Sequence, residues 1–202
     1  MILVGRFCIA GDWDDSPTPD GYLRIVMVPL SASYGGGWQA TTQAALTALP
    51  LHLKPGMSFA EIGAGSGILS VAAKLLGAGK CYATELSRDA LAVMPRVFAA
   101  NNVDVEIIDG TFVDTQVDLA VVSISTDWFA ENHHNILADR ILVVHDDAAT
   151  ELLLQGQLPQ HTVALPAAQV AQTAVMTERE IILPGGVTLI VMEDGTLKLK
   201  GT

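Results

Sequence analysis

The sequence predicts a doubly wound α/β protein: a mainly parallel sheet with helices on both faces and antiparallel strands at either end of the chain. Three observations predict it. Short apolar segments alternate with helical patterns from residue 58 to residue 155, as strand–helix–strand crossovers do. Two of those segments, 117–124 and 140–145, carry little polar alternation, the pattern of strands buried on both faces. A glycine turn, Glu61-Ile-Gly-Ala-Gly-Ser-Gly67, joins one strand to the helix that follows.

The elements follow in order. β-branched and aromatic residues mark strands over 6–10 and 22–29, separated by the turn-rich stretch Asp12-Trp-Asp-Asp-Ser-Pro-Thr-Pro-Asp-Gly21. The glycine loop Tyr34-Gly-Gly-Gly-Trp38 leads into a helix over 40–49, ended by Pro50. A strand over 58–62 is followed by a helix over 68–76, which Gly77 stops. A strand over 81–85, a helix over 88–101 with Pro95 as an irregularity inside it, and a strand over 105–108 come next. The buried strand 117–124 precedes a helix over 130–138, the strand 140–145 and a helix over 148–155. Segments 178–183 and 187–193 flank Pro184-Gly-Gly186 and read as an antiparallel hairpin.

At 202 residues, the length is that of one domain with a substantial core. Half the residues are hydrophobic and 16% charged, a globular composition. The formal net charge of −11, with no Lys/Arg cluster, argues against a nucleic-acid partner. It suits a small-molecule ligand or a basic protein. Cys8 and Cys81 each stand alone in a predicted strand, so neither a disulfide framework nor a metal site is expected. Residues 1–6 are interrupted too early for a secretory signal, and no apolar run nears the ~20 residues of a membrane span. A soluble cytoplasmic protein is the expectation.

The glycine turn selects among nucleotide-like ligands. Glycines there allow positive φ and close approach of a ligand to the backbone. A dinucleotide fingerprint needs G-x-G-x-x-G, whereas this turn reads G-x-G-x-G with Ile68 at the third glycine's place. Glu61 would repel a pyrophosphate, but its carboxylate suits the ammonium of a bound amino acid. S-adenosylmethionine carries that ammonium and no phosphate. Glu85 closes the next strand, where an acid accepts from both ribose hydroxyls. Asp109-Gly110 closes the strand after it, where an acid accepts from the adenine amino group. Three acids at three successive strand ends, beside a glycine turn, form one nucleoside-binding constellation.

Thr41-Thr-Gln-Ala-Ala-Leu46, Leu53-Lys-Pro-Gly56, the turn continued through Leu69, and Asn101-Asn-Val103 resemble the catalytic domain of PrmA-type ribosomal-protein methyltransferases. The Asp12–Asp20 loop resembles that family's lead-in to the domain. The resemblance implies a Rossmann-like class I methyltransferase fold in a single domain: an N-terminal β extension over 1–34 and a cofactor-binding core over 35–202. It implies that Gly63, Gly65, Glu85 and Asp109 line the cofactor and that Thr41 touches its methionyl end. With the turn and its neighbours, the expected cofactor set is Thr41, Glu61, Gly63, Ala64, Gly65, Gly67, Glu85, Leu86, Asp109 and Gly110.

The acceptor side departs from the family. Its loop reads roughly G-T-G-x-H-P-T-T, whereas here Gly36, Gln39 and Ala40 stand for Thr, His and Pro. Ser123 stands where the family has Asn, with a shorter reach and one hydroxyl in place of an amide. Ser123 is the acceptor-side candidate; no catalytic base is assigned. The family's separate N-terminal recognition domain has no counterpart in these residues, which predicts an acceptor other than a large-subunit ribosomal protein. N-methylation of a protein or small amine is the expected reaction. The alternatives are a degenerate binding module without turnover and, disfavoured by the glycine spacing, a nicotinamide enzyme. His133-His134 read as surface residues, Asp146-Asp147 as a helix cap, and Trp38 either as packing for the loop or as a stacking platform for cofactor or acceptor.

Overall fold

The computed structural model describes residues 1–29, 36–145, 162–166, 179–182, 188–191 and 197–199. Gly35, Asp146, Asp147, the expected helix over 148–155 and the turn at 184–186 lie outside them. The chain divides into two compact units, Met1–Ala171 and Gln172–Thr202.

The larger unit begins with a three-stranded sheet: β1 (Ile2–Val4), β2 (Phe7–Gly11) and β3 (Leu23–Met27). β1 and β2 are antiparallel, β2 and β3 parallel. The sequence pattern predicts β2 and β3 but not β1, whose three residues are too few to show alternation. Arg24 fixes the long β2–β3 connection by donating to the carbonyls of Asp14 and Ser16.

The main sheet has six parallel strands: β4 (Phe59–Ile62), β5 (Cys81–Glu85), β6 (Glu106–Asp109), β7 (Val117–Val122), β8 (Ala138–His145) and β9 (Thr162–Pro166). Their spatial order is β6-β5-β4-β7-β8-β9. The chain builds outward from β4 on one side, then returns to β4's other edge with β7. This reversal is where an open α/β sheet parts its crossovers and leaves a crevice at the carboxyl ends of the strands.

Alternation along the central strands covers both faces. Phe59, Leu119, Val121, Leu142 and Val144 join one buried cluster with residues of α1 (Ala40–His52), α2 (Ile68–Leu75), α3 (Arg88–Ala100) and the N-terminal sheet. Ala60, Ile62, Ala120, Val122, Ile141 and Val143 face the other way and pack with Val113 and with Phe129 of α4 (Thr126–Asn132). Two-sided burial explains why these strands read as continuous apolar runs.

Several boundaries differ from the sequence reading. α1 runs through Pro50 to His52; the missing proline N–H falls in the last turn, which the Leu53 N–H closes by donating to Leu49 O at 2.9 Å. Pro95 lies on the exposed side of α3, where water can reach the carbonyl it leaves free. α4 starts four residues before the expected 130, because Ser125 caps it, its hydroxyl accepting from the Trp128 N–H at 3.4 Å. Residue 138, the expected helix end, already lies in β8. β9 was not anticipated.

The smaller unit holds β10 (Arg179–Ile182), β11 (Thr188–Val191) and β12 (Leu197–Leu199), an antiparallel sheet. The expected hairpin is its first pair; β12 is an addition.

Candidate functional site

The crevice is built around the β4–α2 turn. Gly63, Gly65 and Gly67 have φ of 75, 55 and 76°, a region that side-chain-bearing residues avoid. Space forbids a side chain at two of them as well. A Cβ on Gly63 would lie 2.5 Å from Ile124 Cγ1, and one on Gly67 2.5 Å from Phe98 Cε1. The backbone therefore runs bare along the crevice floor, with the start of α2 facing it.

Glu61 lies on β4, 2% exposed. The Ser70 N–H and hydroxyl donate to its Oε2 at 2.7 and 2.5 Å. Burial pushes the carboxyl up to about 7, opposed by the hydrogen bonds from Ser70 and the Leu69 backbone and reinforced by the nearby Glu85 carboxylate. Leu69 and Ser70 belong to the first turn of α2, so Glu61 takes over orphan N–H groups that Gly67, at the cap position, has no side chain to satisfy. The sequence pattern points Glu61 only at a ligand ammonium; this helix-capping contact is a second task. Both tasks use a carboxylate beside a positive helix end.

Glu85, at the end of β5, ties the turn to the next loop. Its Oε2 accepts from the Gly65 N–H at 2.8 Å, and its Oε1 from the Leu86 and Ser87 N–H groups at 2.8 and 2.9 Å. Held by these three donors, Glu85 lines the crevice. Asp109 sits farther out. It is half exposed and pairs with Arg88 at 2.8 Å.

The crevice has two lobes. One, of about 240 Å³, is lined at its base by Glu61, Gly63, Ala64 and Gly65 and at its mouth by Gln39, Thr41 and Thr42. The other, of about 270 Å³, is walled by Thr84, Leu86, Gly110, Thr111 and Ile124. Gly63, Glu85 and Ser123 line both. Either lobe alone is below the ~300–1,000 Å³ of ordinary ligand sites, whereas a ligand spanning both falls within that range. Ser123 reaches this junction because β7 pairs with β4 in register Ile62↔Val122, and its N–H donates to Ile62 O at 3.0 Å.

Of the expected cofactor set, Thr41, Glu61, Gly63, Ala64, Gly65, Glu85, Leu86 and Gly110 line the lobes, as does Ser123. Gly67 shapes the turn from behind, and Asp109 stands at the rim beside Gly110. Gln39, Thr42, Thr84, Thr111 and Ile124 were not singled out as cofactor contacts. All five lie within two residues of an expected site residue: Gln39 and Thr42 beside Thr41, Thr84 before Glu85, Thr111 after Gly110 and Ile124 after Ser123. His133 bonds through Nδ1 to the Phe129 and Ala130 carbonyls, away from the lobes.

The lining fits S-adenosylmethionine. It carries two carboxylates and no Lys, Arg or His among the described residues. That combination suits an ammonium, a sulfonium and a ribose, and opposes a pyrophosphate. The second lobe's apolar walls suit an adenine. The Thr41 hydroxyl lines the first lobe and can donate to a carboxylate at the other end of the ligand.

A switch-point crevice with this turn and these acids defines the class I methyltransferase fold. A family model described as ribosomal protein L11 methyltransferase (PrmA) matches residues 2–159, and the chain belongs to that family. The ribosomal protein L11 methyltransferase of Dictyoglomus thermophilum is 36% identical over 105 residues, covering 52% of this chain and 35% of the relative. That of Lactobacillus johnsonii is 30% identical over 157 residues, covering 76% and 46%. The chain thus spans less than half of these relatives' length. The crystal structure of a ribosomal protein L11 methylase from Lactobacillus delbrueckii subsp. bulgaricus shares the fold, with a TM-score of 0.58 at 18% identity over 100% of both chains.

Proposed function

We propose that this chain is an S-adenosylmethionine-dependent methyltransferase that methylates an amine of a basic protein. The observation that carries the proposal is the pair of lobes meeting at Gly63, Glu85 and Ser123. The adenosine fits between Leu86, Thr111 and Ile124, its ribose at Glu85, with Asp109 at the rim beyond Gly110. The methionyl end fits the lobe of Thr41 and Glu61. The sulfonium supplies an electrophilic methyl when bound. The chain's residues supply orientation: Glu61 fixes the ammonium, Glu85 the ribose, and the bare backbone of the turn lets the ligand lie close. Ser123, common to both lobes, then stands beside the transferable methyl and faces the acceptor.

Relatives named for ribosomal protein L11 favour a protein acceptor over a small amine. They also make L11 the first acceptor to offer, in place of the sequence-based expectation of a different acceptor. A lysine acceptor, with an ordinary pKa of about 10.4, must lose its proton before attack; the acidic lining selects the cation at the mouth without itself removing that proton. Incubation with methyl-labelled cofactor and L11 should label L11. Cofactor binding with no label in L11 or in any lysate protein would instead support a binding module, which the changes at Gly36, Gln39 and Ser123 motivate.

A further inference from the structure

Trp38 is the feature that the cofactor site leaves unexplained. It is 72% exposed, among the most exposed large apolar residues described, whereas the residue before it is buried. Gly37 is buried with φ of 85°, and a Cβ there would lie 2.7 Å from Ile9 Cδ1 and 3.2 Å from Ile68 Cδ1. Its carbonyl accepts from Gln43 Nε2 at 3.2 Å. On the other side Gln39 accepts from the Thr42 hydroxyl at 3.4 Å and α1 begins. The indole is therefore held outward between a packed glycine and a helix start, and it is not folded onto the core.

Its position separates the possible ligands. Trp38 directly precedes Gln39, which lines the first lobe with Thr41 and Thr42. The adenine-sized lobe is walled by other segments, at Leu86, Gly110, Thr111 and Ile124. Trp38 itself lines neither lobe; through Gln39 it borders the first, the methionyl one, and it has no neighbour in the base-sized lobe. The charge points to the acceptor's chemistry. The chain carries 22 acidic against 11 basic side chains, and the lobe that Trp38's neighbour Gln39 lines holds Glu61 and Glu85. A cationic side chain approaching this mouth is attracted, and Trp is the aromatic face that binds such cations best.

We infer that Trp38 is an acceptor-recognition residue: its ring face holds a lysine side chain of the protein acceptor at the mouth of the methionyl lobe. The inference rests on the function proposed above. The contact serves recognition, so its loss raises KM for the acceptor and leaves the cofactor's affinity alone.

The test compares Trp38→Ala and Trp38→Phe with the parent protein. Calorimetry with S-adenosylhomocysteine should give Kd values within about twofold of the parent's, which also shows that the variants are folded. With L11 as acceptor, KM should rise about three- to thirtyfold in Trp38→Ala, the range of exposed to desolvated cation–π contacts, with partial rescue in Trp38→Phe and most of the loss in KM, not kcat. A second arm needs no turnover. The indole N–H resonance of Trp38, assigned by its loss in Trp38→Phe, should shift with a lysine-containing dodecapeptide and not with its norleucine counterpart. An unchanged KM, an equal loss of cofactor affinity, or equal shifts with both peptides would overturn the inference. If the parent protein methylates nothing, the proposed function fails, and the peptide arm alone decides Trp38's role.

Discussion

Replacing Glu61 by glutamine keeps the length of the side chain and one acceptor oxygen for Ser70, and removes the charge. Two consequences follow from its burial. The carboxyl lies at about 7 in the folded chain against 4.5 ordinarily. A group raised on folding stabilises the folded chain fully below its unfolded value and loses that contribution as pH rises through its folded value. The full difference is about 3 kcal/mol, of which about 2 kcal/mol disappears between pH 5 and pH 7. Urea denaturation at several pH values should therefore show the parent protein losing about that much stability relative to Glu61→Gln across this interval, the variant lacking the step. The second consequence concerns the ligand. If the ammonium meets an ionised Glu61, binding is limited by the ionised fraction, and affinity for S-adenosylhomocysteine should rise about eightfold from pH 6 to pH 7.5. In Glu61→Gln it should be weaker and flat over the same range. Parallel stability profiles for the two proteins, or a parent affinity that ignores pH, would rule out a raised Glu61 carboxyl that meets the ammonium.

Other predictions follow from single contacts. Glu85→Ala leaves the Gly65, Leu86 and Ser87 N–H groups without their shared acceptor and removes the ribose partner; affinity for S-adenosylhomocysteine should fall at least about tenfold, and an unchanged calorimetric Kd would remove Glu85 from the site. The Asn101 side chain grips β3, accepting from the Val26 N–H at 2.8 Å and donating to Val26 O at 2.7 Å. Asn101→Ala should cost about 1–3 kcal/mol in denaturant titrations with cofactor affinity preserved, and a change under about 0.5 kcal/mol would contradict this tie. Gly67→Ala combines positive φ with collision against Phe98; it should lower stability by about 1–2 kcal/mol or more, and wild-type stability would show the turn to be adaptable.

The parts of the site legible in the sequence are those whose chemistry is local in the chain. The glycine turn, Glu85 and Gly110 each sit at the end of an apolar run, so strand periodicity alone puts them at the carboxyl edge. Thr111 and Ile124 directly follow Gly110 and Ser123, but that they meet in one lobe depends on β6 and β7 flanking the β4–β5 pair from opposite sides, and no spacing along the chain encodes that order. Asp109 shows the opposite limit: its strand end was recognisable, but its pairing with Arg88, 21 residues away, depends on how α3 returns. Helix ends shifted for reasons of detail. A proline ends a helix only where its missing N–H is needed, and Pro50 falls where the turn can still close. Ser125 was a cap signal set in the shadow of the apolar strand before it.

The central claim is that the crevice beside β4 holds S-adenosylmethionine and not a pyrophosphate ligand. Calorimetry of the intact protein with S-adenosylhomocysteine and with NAD, at pH 7.5, tests it most directly. Saturable one-to-one binding of the first and none of the second is expected. Folded protein that binds NAD, or that binds neither ligand, would contradict it.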